Sequence, residues 1–229
     1  MKLLRAAVVG IAVSALAACG GGNAPATGAP GAPGAPAASA PAAGPAAPAL
    51  PLDQRVVPGD LAGLSSPAGV KTANTPDAYV DLQSDTSDPD YAQQRASDIS
   101  RFSDKGFVAG AAKVYGDDNA PGRGISAVVQ LGSPAQATAY VQNLFQDEFG
   151  SDMPPGAVKG VIDGAEASST IADKETLDGD TISHGWVTFA DGPFVYLVAA
   201  DTDAPGSDPQ AVIDAAKALF AKVKGAPAA

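Results

Sequence analysis

Residues 181–200 read TISHGWVTFADGPFVYLVAA. Asp191-Gly192 lies at the middle, between two runs rich in β-branched and aromatic residues, which is a strong hairpin signal. A two-residue turn at Asp191-Gly192 sets Ala190 opposite Pro193 and decides which residues share a face. One face then carries Val187, Phe189, Phe194, Tyr196 and Val198. The other carries Ile182, His184, Trp186, Thr188, Val195 and Leu197. Both faces are apolar over much of their length. An antiparallel sheet covered on one face is polar on the other, so the second face needs a cover or serves as a surface for a ligand or partner. Residues 53–88 are the expected cover. The alternative is an apolar groove in which Trp186 is an aromatic anchor beside His184, Thr188 and Leu197.

The surrounding sequence extends this pattern. Residues 170–177 form a further strand before the turn at Asp178-Gly179. Asp208-Pro209 starts a helix whose stripe is Val212, Ala216, Leu219, Phe220 and Val223. An earlier stretch follows the same logic. Residues 107–115 suit a strand, Asp117-Asp118-Asn119 a turn, and residues 125–131 alternate as a half-buried strand. Ser133-Pro134 then starts a helix with the stripe Ala137, Tyr140, Val141, Leu144, Phe145 and Phe149, ended by Gly150. Residues 90–103 form a short helix, and residues 76–91 are polar and aperiodic, which predicts a loop. The expected fold class is α+β: one antiparallel sheet built from two ββα-like halves, with two long helices packed on one face.

The first fifty residues are of another kind. Lys2 and Arg5 precede an apolar run over residues 6–18, too short to cross a bilayer, which is the anatomy of a secretory leader. Leu16-Ala17-Ala18-Cys19 resembles the lipobox of bacterial lipoproteins at all four positions. That resemblance implies a diacylglyceryl group on the Cys19 sulfur and cleavage before Cys19. Two or more acyl chains anchor a protein stably where one does not. Cys19 is the single cysteine, so its acylation leaves the domain with no thiol for a disulfide, a metal or nucleophilic attack. Residues 20–52 are rich in Ala, Pro and Gly and uncharged, and cannot bury enough apolar area to fold. They read as a semi-stiff tether of at most ~3.1 Å per residue. The expected organisation is a leader at 1–18, acylated cysteine and tether at 19–52, one domain at 53–224 and a tail at 225–229.

The stretches GFVAGAAKVYGDD and GISAVVQLGSPAQATAYVQNL, with GPFVYLVAAD and DPQAVIDAAKALFAKV further on, resemble a broad group of actinobacterial cell-envelope lipoproteins. In that group an extracytoplasmic α+β domain follows a lipobox and a low-complexity linker. The resemblance implies fold and location, and no catalytic residues.

Of the 14 basic side chains only Lys2 and Arg5 precede residue 53, and all 25 acids lie within residues 53–229, so the domain carries an excess of 13 negative charges. Such a surface is repelled by phosphate backbones and anionic headgroups, which argues against nucleic acid as a partner. His184 is the only histidine; it has no companion imidazoles for a metal site and no Gly-x-Ser-x-Gly elbow for a nucleophile. GRGISA at residues 122–127 matches a nucleotide-binding fingerprint only on paper, because a strand follows it. In DTDAPGSD at residues 201–208 an EF-hand register puts Pro205 and Val212 at two ligand positions, so calcium is not expected there. Asp85, Asp88 and Asp90 also lack calcium-loop spacing. Glu148, Glu166 and Glu175 are too scattered to pair as glycosidase acids. No metal or cofactor is expected.

These observations predict a non-catalytic, monomeric, extracytoplasmic lipoprotein. It is held at the cell membrane through Cys19 and binds an apolar or amphipathic ligand or an envelope protein, with Trp186, His184, Thr188 and Leu197 as the candidate site. The alternatives are a purely structural adaptor, or a small hydrolase marked by an acid cluster or a serine on His184. The binding reading predicts an open groove of several hundred cubic ångströms, or a contiguous apolar patch, beside Trp186.

Overall fold

The computed structural model describes residues 50–83, 91–117, 120–149, 156–177, 180–204 and 207–225. The leader, Cys19, nearly all of the tether, the turn residues Asp118-Asn119 and Asp178-Gly179, Gly150, Pro205-Gly206 and the Asp85, Asp88 and Asp90 positions lie outside the described residues. Among the described residues no helix is long and apolar enough to cross a membrane.

Seven strands form one antiparallel sheet: β1 (Val70–Ala73), β2 (Phe107–Tyr115), β3 (Gly122–Leu131), β4 (Ala157–Lys159), β5 (Ala167–Leu177), β6 (Asp180–Asp191) and β7 (Phe194–Thr202), in the order β1-β2-β3-β7-β6-β5-β4. The edges are the two shortest strands, which limits the exposed hydrogen-bonding row. Among the described residues four α-helices accompany the sheet: α1 (Pro76–Gln83), α2 (Tyr91–Asp104), α3 (Pro134–Phe149) and α4 (Gln210–Val223). Local chemistry sets their starts. Ser133 Oγ accepts from Gln136 N, and the Asp208 carboxylate accepts from Gln210 N.

The β6–β7 hairpin forms with a shifted turn. Asp191 pairs with Phe194 and Ala190 with Val195, so the two central residues are Gly192 and Pro193. Gly192 takes φ +56°, which the first central position of a hairpin turn requires, and Pro193 holds the negative φ of the second. The shift moves each strand by one residue, so partners change while faces do not. Val187, Phe189, Tyr196 and Val198 still share one face.

The two long helices lie on opposite faces, which corrects the expectation that both pack on one. On the α4 face, Val212, Ala216 and Leu219 meet Val187, Phe189, Tyr196 and Val198. On the other, Ala137, Tyr140, Val141 and Leu144 of α3 meet Val129, Leu131 and Val195. A helical stripe fits either face; the direction in which the chain leaves each strand decides, and periodicity does not record it. The ββα runs therefore occur in chain order without forming two like halves above one face.

The described part of the expected cover, residues 53–83, divides between the two faces. Residues 50–64 lie across the α4 face, where Val56, Val57, Leu61 and Leu64 are buried. Arg55 is 7 % exposed there, 3.9 Å above the Phe194 ring, and donates to Tyr196 Oη at 2.6 Å and to the Leu50 carbonyl. Val57 is fixed twice, donating to Ser126 Oγ and accepting from Tyr115 Oη. Farther along, residues 76–83 are a helix and not a loop, and pack Tyr79 and Val80 onto the α3 face.

Candidate functional site

A small cleft lies where α1, α2 and α3 meet the sheet. Its floor is Val129 of β3, Trp186 and Thr188 of β6, and Val195 and Leu197 of β7. Tyr79, Gln83, Phe102, Tyr140 and Leu144 form the helical side. The strand register makes the floor: Thr188 pairs with Leu197, and alternation keeps Trp186 on the same face. Phe102 stacks on Tyr140 at 6.0 Å, and Tyr79 meets Phe102 edge-on at 5.1 Å. Burial pushes the Tyr79 phenol well above its usual range, and Tyr140 also upward, so both remain neutral.

The cleft encloses about 40 Å³. That is room for one or two waters, not a groove of several hundred cubic ångströms, because three helices and not an open surface lie above Trp186. Thr188 is 3 % exposed, and its hydroxyl has no hydrogen-bond partner among the described residues. A buried hydroxyl in that state carries a desolvation cost.

Three of the four expected site residues, Trp186, Thr188 and Leu197, thus line one cleft, and His184 does not. His184 sits farther along β6, in a cross-strand row with Asp173 of β5, Asp201 of β7 and Arg123 of β3. Its Nδ1 meets Asp201 Oδ1 at 2.9 Å, and its Nε2 lies 3.8 Å from Glu175 Oε2. Burial raises the Asp201 carboxyl above its ordinary range, His184 opposes that shift, and Asp173 adds to it. A carboxylate on Nδ1 is how a general-base imidazole is oriented, yet here Nε2 is buried against a second carboxylate. The neighbouring Ser183 donates to the Ser207 carbonyl instead. Among the described residues no cluster of three or more metal-ligating side chains occurs. In the 201–208 stretch, Thr202 Oγ1 donates to the Pro121 carbonyl and Asp208 accepts from Gln210 N at the start of α4.

Sequence reading missed the helical side of the cleft. Tyr79 and Gln83 fell in a presumed loop, although Thr75-Pro76 is the same cap-and-proline signal that marks α3, and Ala78 N donates to Thr75 Oγ at 3.4 Å. Phe102 and Tyr140 lie on helices that the sequence marks, and no local signal joins them to the hairpin.

No protein-family model matches the chain, and no curated protein matches it. Among solved structures, the extracellular domain of PknH from Mycobacterium tuberculosis is similar at 18 % identity and a TM-score of 0.34, over 70 % of this chain and 79 % of that one. Similarity of that degree assigns neither family nor function.

Proposed function

We propose that this chain is a lipid-anchored, extracytoplasmic binding module of the cell envelope without catalysis of its own. Cys19 carries the anchor, residues 20–49 supply the reach, and the domain takes up an apolar or amphipathic ligand. The observation that carries the binding reading is the cleft on Trp186, Thr188 and Leu197, with a buried hydroxyl lacking a partner at its floor. Aromatic and aliphatic walls carrying a few hydroxyl and amide groups suit a ligand with an apolar body and an oriented polar atom. The anchoring part rests on the lipobox resemblance at residues 16–19 and the uncharged tether behind it.

Native mass spectrometry of the protein released from its own envelope tests the reading. A bound small molecule, lost on replacing Trp186 with Ala, is the expected result. A bare monomer from fresh envelope would favour the structural-adaptor alternative. Replacing Cys19 with Ala tests the anchor separately: the protein is expected to move from the membrane fraction to the soluble one.

A further inference from the structure

The same cleft restricts what its occupant can be. No residue lining it is charged, and the domain around it is strongly acidic. An anion entering would lose its hydration and find no cation in the lining, since Arg101, which meets Tyr140 from outside it, is already paired with Asp98. The Tyr79 and Tyr140 phenols remain neutral there. In the floor the Thr188 hydroxyl is buried without a hydrogen-bond partner among the described residues, and a hydroxyl both donates and accepts. The space of about 40 Å³ takes the leading atoms of a slender chain. A ring as large as benzene occupies a cavity on the order of 150 Å³.

Resting on the binding reading above, we infer that the cleft takes a neutral, unbranched amphiphile whose terminal hydroxyl or carbonyl oxygen bonds to Thr188. The aliphatic body then runs outward between the aromatic side chains of α1, α3 and β6, toward the half-buried amide of Gln83.

Trp186 is the only tryptophan and lines the cleft, so its fluorescence reports occupancy. The test titrates 1-hexanol, hexanoate and cyclohexanol into the full chain carrying Cys19→Ala, so that no acyl chain competes. A saturable change with 1-hexanol, and a much weaker response to hexanoate and cyclohexanol, is expected. Thr188→Val is expected to weaken 1-hexanol binding about 3- to 10-fold, the loss of one hydrogen bond, while Thr188→Ser retains it; circular dichroism checks that both variants fold. Equal binding of hexanoate or cyclohexanol, or no effect of Thr188→Val, would overturn this inference and leave an apolar-ligand module standing. No saturable response to any of the three probes would overturn both.

Discussion

The ring of Tyr79 lies directly over Gly110: a Cβ built on Gly110 would come within 2.3 Å of Tyr79 Cδ2. Across the sheet Val212 does the same to Gly185, at 2.6 Å. Each face of the sheet thus has a glycine that lets a helix approach closely, α1 on one side and α4 on the other. Neither glycine has a positive φ, so what each supplies is space. Gly110→Ala is expected to destabilise the domain by about 1–3 kcal/mol through overpacking. In a Tyr79→Ala background the same change should cost little, because the clashing ring is gone. A double-mutant cycle in urea measures the difference, and equal costs in both backgrounds would refute the steric account.

Thr188→Val should stabilise the protein by about 1 kcal/mol, since it removes a buried hydroxyl without a partner and keeps the side-chain shape. Most buried substitutions destabilise, so the sign is diagnostic. A shift of the urea midpoint to higher concentration at unchanged slope is the expected reading. If Thr188→Val also weakens 1-hexanol binding, stability and binding are opposed at one atom.

Arg55 fastens residues 50–64 to the sheet. Arg55→Ala removes a charged hydrogen bond to Tyr196 Oη and a cation–π contact with Phe194, and is expected to cost about 2–4 kcal/mol. Arg55→Lys keeps the charge and loses the planar fork, so an intermediate loss is expected. Amide hydrogen exchange should show protection lost first at Val57, whose N–H donates to Ser126 Oγ.

Asp201 gives a pH dependence with a defined sign. Its carboxyl is raised above 3.8, chiefly by burial. In the interval from pH 3.8 up to the raised value the folded state therefore holds more proton than the unfolded chain. Its contribution to stability is fully present below that interval and falls as pH rises through it. Asp201→Asn removes this slope, so the stability of the variant relative to the parent should climb across the interval and level off above it. Urea unfolding of both proteins between pH 3 and 8 measures it; a flat difference would show that burial of Asp201 does not govern its titration.

Much of the fold was legible because its signals are local. Residues 107–115 suit a strand and the alternation in residues 125–131 marks another, Asp191-Gly192 marks the neighbourhood of the hairpin turn, and Ser133-Pro134 and Asp208-Pro209 mark two helix starts. α1 was misread because eight residues with only Tyr79 and Val80 buried carry too weak a stripe to overcome their polar composition. The candidate site was half legible. Trp186, Thr188 and Leu197 are neighbours within one hairpin, so strand register alone collects them. Tyr79, Gln83, Phe102 and Tyr140 come from helices far away in the chain, and no local pattern links them to the hairpin.

The sequence by itself determined the antiparallel pairing and which residues of the β6–β7 hairpin share a face, because a side-chain period of two survives even a shifted turn. Only the tertiary structure decided that α3 and α4 take opposite faces, with Gly185 as the contact point of α4 and Gly110 as that of α1 on the α3 side. It also separated His184, held in an acidic row with Asp201, from Thr188 on the same strand, which is enclosed by three helices. Backbone alternation is an interaction between neighbours in the chain. The choice of face and the enclosure of a cleft depend on the volume and charge of side chains that only packing brings together.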